Sequence, residues 1–289
     1  MAVVEAVPAI AGPEGARRSG NLVRNLEIAL PAAVLLVIAA ACFLGPLVLP
    51  VPPPVGGSVL ESYLDAGSPG HLLGTDPNGN DILSRILHGG RSSLVVAVAV
   101  NALGLLVGGT LGALSGYLGG AVDTVIMRVL DVLIAFPSLV LTLAVAQSLG
   151  ASQTNTILAL AFFSIPAFAR ISRAATLRLR ELPFMAAAQL AGTPGWRVLL
   201  RHIAPNITPQ LITFGMLGMG IVMVIEGALS FLGLGIPLPA PSWGNMIAQG
   251  QQSLSATPML VVWPCAALFV TVLAFNLLGE TLRARWSGR

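Results

Sequence analysis

Hydrophobic residues in this chain form long continuous runs that short polar stretches separate. A helix needs about 20 apolar residues to cross the hydrocarbon core of a membrane, so charge-free runs of that length predict spanning helices. Continuous runs also exclude a transmembrane barrel, whose strands would alternate. Six spans are predicted: Ile28 to Pro50, one within Ser92 to Val122, two in the block Val132 to Ala169 on either side of the polar run Gln147 to Thr156, one after Pro205, and Met259 to Gly279.

Composition and charge indicate an integral membrane protein. Of 289 residues, 55% are hydrophobic and 9% are charged, and the mean hydropathy is +0.85. All fifteen basic residues are arginines, and with a cytoplasmic N-terminus only Arg85 and Arg91 fall outside. This bias predicts that both termini face the cytoplasm. The net charge of +3 therefore reflects topology, and no nucleic-acid partner is predicted.

The predicted fold class is an all-α polytopic membrane protein with six transmembrane helices. A cytoplasmic tail at 1–26 is followed by a first transmembrane helix at 27–50, predicted to be a retained signal anchor, and by an extracytoplasmic loop with a short helix at 51–91. The core at 92–282 has five transmembrane helices and a cytoplasmic loop at 170–206. A cytoplasmic tail at 283–289 ends the chain. The N-terminal tail is rich in Ala, Pro and Gly and is predicted to be mobile.

The external loop contains a dense turn, DPNGND, from Asp76 to Asp81. Asp81 is placed to cap a short helix that Gly89 and Gly90 would end. The turn is not a calcium loop, because Asp81 stands at the sixth position instead of Gly and Leu87 at the twelfth instead of Glu. No metal site is predicted here, and the two cysteines lie inside apolar runs as core residues.

Two features within the spans concern packing and charge. Glycines recur every four residues at 104, 108, 112, 116 and 120, which predicts a stripe that another helix backbone can approach closely. Asp123 and Asp131 flank Arg128 and predict a charge-paired interfacial cluster. Glu226 follows a long uncharged run. It is either a buried hydrogen-bonded helix residue or a residue of the translocation path.

The cytoplasmic loop is punctuated as two short helices. Pro183 suits a helix start and Gly192 a C-terminal end. Thr193 is expected to cap the next helix, with Pro194 at its first position and Pro205 at its end. That second helix is amphipathic, with Arg197 and Arg201 together on one side.

Such a loop could lie along the membrane surface or dock into a protein groove. A basic amphipathic helix commonly lies on a membrane. The small side chains of Ala186, Ala187 and Ala188 favour docking, because they allow a helix to enter a groove closely, whereas an interfacial helix would present larger apolar groups.

The loop resembles the cytoplasmic loop of binding-protein-dependent ABC importer permeases, whose pattern is Glu-Ala-Ala, three residues, Gly, nine residues, Ile, one residue, Leu-Pro. Ala186 to Ala188 match the triplet, Gly192 the glycine and His202 to Pro205 the end. The spacing is intact, but Ala186 stands for Glu, His202 for Ile and Ala204 for Leu.

Other segments are similar to permeases of the C-subunit type from dipeptide and oligopeptide importers. They are HLLGTDPNGNDILSRILHGGRSSL, GYLGGAVDTVIMRVLDVLIAFPSLVL, GALSFLGLGIPLPAPSWGNMI and LAFNLLGETLRAR. The first has Asn80 where that family usually has Arg. The likeness covers Leu30 to Arg285. It implies the type I ABC importer permease fold with a coupling helix in the cytoplasmic loop.

The resemblance also implies a function and a set of partners. The chain would be one half of a peptide translocation path in a bacterial inner membrane, with a homologous second permease, two ATPase domains or subunits and an extracytoplasmic peptide-binding protein. The coupling residues carried over are Ala186, Ala187, Ala188, Gly192, Thr193, Pro194, Arg197, Arg201 and Pro205. The sequence lacks the GxxxxGK[ST] phosphate loop, so ATP and Mg would be bound by the partner ATPases. We therefore predict that this chain is not an enzyme and that it holds no cofactor.

Two rival functions are weighed. A permease of the same family for nickel chelates or glutathione would share these motifs. A self-sufficient secondary transporter would be expected to show inverted repeats and paired intramembrane acids, and it would leave the docking loop unexplained.

Overall fold

The computed structural model describes residues 14–135 and 137–287, and these ranges are built from helices. The bounds are α1 Glu14–Val48, α2 Ile82–Leu103, α3 Gly109–Leu118, α4 Gly120–Ala135, α5 Ser138–Leu149, α6 Gln153–Arg180, α7 Pro183–Leu190, α8 Gly195–Val198, α9 Ala204–Phe231, α10 Trp243–Gln251 and α11 Met259–Ser287. The π-helical turn Gly104–Gly108 joins α2 to α3, and a second such turn, Leu199–Ile203, joins α8 to α9.

Five helices of the described chain are long and apolar enough to cross a membrane. They are Leu26–Val48, Ile82–Leu118, Gln153–Arg180, Gly195–Phe231 and Met259–Trp286, and they match five of the six predicted spans. The predicted third span corresponds instead to the shorter helices α4 and α5, which part at Pro137. The break follows from chemistry, because proline donates no amide hydrogen bond and disfavours a helical residue before it.

The structure differs from two sequence predictions at helix ends. α1 begins at Glu14, so the second half of the predicted tail is helical, while residues 1–13 lie outside the described ranges. The predicted short helix does not end at Gly89 and Gly90, because α2 continues through both. A Cβ on Gly90 would lie 2.5 Å from Cys42 Sγ and 2.6 Å from the Trp243 ring, so this glycine serves close helix packing rather than a turn.

The predicted cap and the predicted turn both form in the loop between α1 and α2. Asp81 Oδ1 accepts a hydrogen bond from the Ser84 amide at 2.7 Å and so caps α2. Asp76 Oδ1 accepts from the amides of Asn78 at 2.8 Å and Asn80 at 2.9 Å. The guanidinium of buried Arg85 lies 3.4 Å from Asp76, which ties the turn to α2.

The glycine stripe is confirmed at four of its five positions. A Cβ at Gly104, Gly108 or Gly112 would overlap atoms of α6, and at Gly116 it would lie 2.9 Å from Thr176 Cβ. Gly120 differs, since it begins α4 with a φ of +55° and faces open space. α3 and α6 are therefore packed backbone to backbone.

Two buried hydrophobic clusters hold the helices together. One includes Val96, Val100, Met223 and Trp243 and packs α10 against α2 and α9. The other includes Phe168, Met185, Val198, Ile203 and Ile207, and it joins the segment 183–205 to α6 and α9. This second cluster positions the candidate functional site.

Candidate functional site

The first helix of the loop, α7, begins and ends where the sequence predicts. Leu182 is extended at the N-cap and Pro183 occupies the first turn. At the other end, Gly192 has a φ of +67°, its amide donates to Gln189 O at 3.0 Å, and the Thr193 amide donates to Ala188 O at 3.1 Å. These two bonds form a Schellman motif, which favours glycine at the left-handed position.

The second helix starts one residue later than predicted. Pro194, not Thr193, is the N-cap residue, and no side chain caps this helix. The reason is local: the Thr193 amide already closes α7, so the chain needs one more extended residue before it turns again. Pro194 O then accepts from the amides of Arg197 and Val198 at 2.9 and 3.1 Å.

Pro205 does not end the second helix, which corrects the sequence prediction. The helix continues from Gly195 to Phe231 through the π-helical turn. In that turn the Ala204 amide reaches back to Leu199 O. The wider π-helical turn accommodates Pro205, the second residue of α9, within the continuous helix. The loop and the fifth span are thus one continuous rod.

Buried contacts hold the loop against the membrane-spanning helices. Met185 of α7 and Val198 of α8 are fully buried beside Ile203. A Cβ on Gly195 would lie 3.2 Å from the Tyr117 ring of α3, and Arg180 donates to Gly116 O at 2.9 Å. A displacement of α7 would therefore be passed to α3, α6 and α9, because close-packed interiors transmit strain.

The three alanines do not share one face. Ala188 is 8% exposed and packs inward with Met185, whereas Ala186 and Ala187 are exposed. Leu190, four residues after Ala186 and three after Ala187, stands on the same outer side and is 90% exposed. The structure thus brings small residues and one large apolar residue together on the outer surface of α7.

Sequence reasoning missed Leu190 and also Phe184, which is 40% exposed on the same helix. The signal that could have found Leu190 is helical spacing, because it is an i+3 and i+4 neighbour of two residues already singled out. Spacing alone does not show that Leu190 points outward. Its direction follows from the burial of Met185, on the other face of α7, against α6 and α9.

Two arginines of the segment that follows α7 are also exposed. The guanidinium of Arg197 lies 5.2 Å from the centre of the Trp196 ring, a cation–π contact. Arg197, Arg201 and Pro205 are exposed, as are Trp196 and Leu200. The exposed surface of α7 and α8 therefore combines apolar and cationic groups, while Met185, Ala188 and Val198 face inward.

Glu226 lies apart from the loop, inside the bundle. Its side chain is fully buried, with Oε2 accepting from Ser93 Oγ of α2 at 2.9 Å and Oε1 accepting from Ser230 Oγ at 2.7 Å. The carboxylate so connects α9 to α2. This geometry favours the first of its two predicted roles, that of a buried hydrogen-bonded helix residue.

We expect Glu226→Gln to keep transport within about twofold, because an amide can accept from one hydroxyl and donate to the other. Glu226→Leu should lower thermal stability, since each buried hydroxyl left unpaired costs about 1 to 3 kcal/mol. Substrate uptake and the melting temperature of the purified protein check both. Loss of uptake in Glu226→Gln at an unchanged melting temperature would contradict the packing role.

The two acids of the predicted charge cluster pair with arginines of α6 instead of with Arg128. Asp123 pairs with Arg173 at 2.5 Å and Asp131 with Arg170 at 2.7 Å, so both acids of α4 face α6 rather than Arg128. Arg128 lines the same pocket as the four paired side chains, but among the described residues it forms no ion pair with either acid. The ion pairs link α4 to α6 across 50 and 39 residues of sequence.

Comparison with known proteins gives consistent matches. A family model described as binding-protein-dependent transport system inner membrane component matches residues 108–287. The glutathione transport system permease protein GsiD of Pectobacterium atrosepticum is 42% identical over 229 residues, covering 77% of this chain and 76% of that protein. The dipeptide transport system permease protein DppC of Alkalihalophilus pseudofirmus is 38% identical over 223 residues, covering 77% and 73%.

Among solved structures, an inward-facing conformation of the MetNI methionine ABC transporter matches the fold. The TM-score is 0.56 at 15% sequence identity, and the match covers 69% of this chain and 95% of the other. At that identity the likeness concerns the fold alone.

Proposed function

The chain belongs to the binding-protein-dependent transport system inner membrane components, the permease subunits of ABC importers, and we propose that α7 is its docking element for a partner ATPase. The observation that carries this proposal is Leu190, an apolar side chain 90% exposed at the end of a clamped helix. Burying such a side chain in a partner is worth about 1.5 to 3 kcal/mol.

The shape of α7 suits insertion into a cleft. The small exposed side chains of Ala186 and Ala187 would allow close contact with the walls of the cleft, and the exposed Leu190 would be buried in it. Ala186 replaces the acid of the family pattern, so the contact depends on shape and apolar burial more than on charge. The exposed side chains of Arg197 and Arg201 would meet acidic groups of the ATPase.

Movement of the docked helix is the proposed coupling step. Met185 and Val198 fix α7 and α8 into the cluster shared with α6 and α9. A partner that closes on ATP and shifts Leu190 would therefore tilt two spans together. ATP and Mg belong to the partners in this scheme, and this chain contributes the moving path.

The remaining partners and the setting follow from the family. They are a homologous second permease that completes the path and an external binding protein that delivers cargo. The chain is a multi-pass membrane protein, and the arginine bias supports cytoplasmic termini in a bacterial inner membrane. Glu226 connects α9 to α2 within this path-forming bundle.

We assign the cargo to short peptides. The two relatives above are named for glutathione, itself a tripeptide, and for dipeptides, and their identities of 42% and 38% do not separate these cargoes. Uptake of labelled dipeptide and of labelled glutathione by the reconstituted importer distinguishes them directly.

Leu190→Asp tests the docking role. In the complex reconstituted in vesicles, we expect ATP-driven peptide uptake and copurification of the ATPase to fall at least about tenfold, because an apolar contact is lost and a charge is buried. The matched control is Leu60→Asp, which places the same substitution at a residue 96% exposed in the external loop. Copurification should stay unchanged in that control, and normal copurification and uptake in Leu190→Asp would contradict the docking role.

A further inference from the structure

A groove of about 600 Å³ runs between α1, α2 and α11. Every side chain that lines it is apolar. Leu36 is 69% exposed and Val98 is 51% exposed, so the groove is open along the surface of the bundle. The lining residues include Leu36, Ala39 and Phe43 of α1, Val95 and Val98 of α2, and Phe275 of α11.

Arg91 lies at one end of this groove. Its guanidinium carbon is 5.6 Å from the centre of the ring of Phe43, the lining residue of α1 that is nearest to the helix end at Val48. On α2, Arg91 shares a face with Val95 and Val98, which follow it by four and seven residues. Helical side chains lean toward the start of their helix, which places the guanidinium beyond the apolar part of the groove. The groove therefore has a cationic end and an apolar body.

The charge of Arg91 is not neutralised within the described chain. Arg91 is exposed and forms no ion pair with any described carboxylate. The ring of Phe43 attracts the cation but does not cancel its charge. Arg85, the other arginine predicted outside, is buried and lies 3.4 Å from Asp76. Of these two arginines, it is Arg91 that can bind an external anion.

We propose that this groove binds a phospholipid that has an anionic headgroup. Arg91 binds the phosphate, and one acyl chain lies along Phe43, Ala39 and Leu36. The lipid belongs to the extracytoplasmic leaflet in the orientation proposed above, because Arg91 lies toward the external end of α2. The pairing of a cation with an apolar groove does not depend on that orientation.

The length of the groove suits one acyl chain. Its lining residues on α1 extend from Leu35 to Phe43, and eight residues correspond to about 12 Å of helix. One leaflet contributes about half of a hydrocarbon core that is about 30 Å thick. The groove therefore covers most of the depth of a single leaflet.

A spanning helix of the second permease fits this groove less well. Such a helix crosses both leaflets, whereas the groove extends over about one. The helix would also cover Arg91 at a place where this chain supplies no carboxylate. A soluble anion would use Arg91 alone, and the apolar groove would then select no lipid.

Crosslinking from Leu36 tests the site. The intact importer complex carries p-benzoylphenylalanine at this position and is placed in bilayer discs with equal amounts of phosphatidylglycerol and phosphatidylcholine. After illumination, mass spectrometry identifies the lipid that is attached to the chain. We expect about fivefold more phosphatidylglycerol than phosphatidylcholine, which is the preference that one arginine supplies. The same probe at Val37, an exposed residue of α1 that does not line the groove, should attach both lipids about equally.

Substitutions of Arg91 identify the role of the charge. Arg91→Gln should lower the lipid ratio at Leu36 to about one, whereas Arg91→Lys should retain most of the preference because it keeps the charge. Arg285→Gln is the matched control, since Arg285 is an exposed arginine near the other end of the bundle and does not line the groove. The ratio should be unchanged in that control.

Val98→Trp separates the groove from the charge. The larger side chain would fill part of the apolar body and leave Arg91 in place, so we expect the lipid ratio at Leu36 to fall to about one. Leu106→Trp adds the same side chain at a residue that is 64% exposed and does not line the groove. That variant should keep the preference.

Several outcomes would overturn the proposal. Equal attachment of the two lipids at Leu36, or a preference that survives Arg91→Gln, would show that Arg91 does not select an anionic headgroup. An equal preference at Val37 would assign the effect to the membrane surface as a whole. Attachment to the second permease would make the groove a permease contact, and loss of the preference in millimolar inorganic phosphate at constant ionic strength would assign Arg91 to a soluble anion. The assay reads lipid contact without transport, so its result is independent of the docking role of Leu190.

Discussion

Gly192→Val is expected to abolish ATP-driven peptide uptake while leaving the amount of protein in the membrane unchanged. Gly192 has a φ of +67°, a conformation that β-branched residues rarely adopt. No atom lies within 4 Å of a Cβ built there, so the penalty is conformational rather than steric. Left-handed backbone costs other residues about 1 to 2 kcal/mol, which is enough to unwind one loop and too little to unfold the bundle.

The loss of uptake follows from where Gly192 lies. It closes α7 two residues after Leu190, and its Schellman bonds fix the direction in which that helix ends. A changed backbone at this position would turn the proposed anchor away from the ATPase. Uptake in vesicles, together with the membrane level of the protein, measures both parts of the prediction.

Gly192→Asn is the matched control, because asparagine tolerates the left-handed region and the position has open space for its side chain. Uptake should therefore largely survive. Two results would count against the mechanism: full uptake with valine, or equal damage from asparagine and valine, which would implicate the added side chain rather than the backbone.

Features set by local chemistry could be predicted from the sequence. The helical spans follow from apolar length, the cap at Asp81 from a carboxylate before an apolar run, and the bounds of α7 from Pro183 and Gly192. The glycine stripe also belongs here, since a period of four places small residues on one side of a helix.

Features set by tertiary contact could not. In the sequence, Gly90 and Pro205 are typical of helix ends, but both lie inside continuous helices. Gly90 instead lets Trp243 pack closely against α2, and the π-helical turn before Pro205 accommodates the proline. Asp123 finds its partner 50 residues away on α6, and no local spacing indicates that choice.

The candidate site divides in the same way. Spacing to Gly192 locates the loop, but the outward direction of Ala187 and the inward direction of Ala188 depend on which face the spans cover. Leu190 is exposed for the same reason. An amphipathic pattern gives two faces, and only the packing partner determines which one is buried.

Gly112→Leu is expected to destabilise the whole protein, with little properly folded permease recovered. A Cβ at Gly112 would overlap the Ala169 carbonyl oxygen and lie 2.7 Å from Ser172 Cβ. Overpacking usually costs about 1 to 3 kcal/mol, and here the obstacle includes backbone that cannot rotate aside, so we expect the upper end or more. The buried bond from Ser172 Oγ to Gly109 O, 2.6 Å long, would be lost as the helices separate.

The measurement is the melting temperature and yield of the permease extracted in detergent. Thr110→Leu is the matched control, because it adds leucine to an exposed position of the same helix two residues away. That variant should melt near the unmodified protein. Tyr117 of α3 and Arg180 of α6 also contact the segment 183–205 or its neighbours. The proposed transmission of motion from α7 therefore depends on close packing of α3 against α6, and a Gly112→Leu protein that melted like Thr110→Leu would contradict that packing.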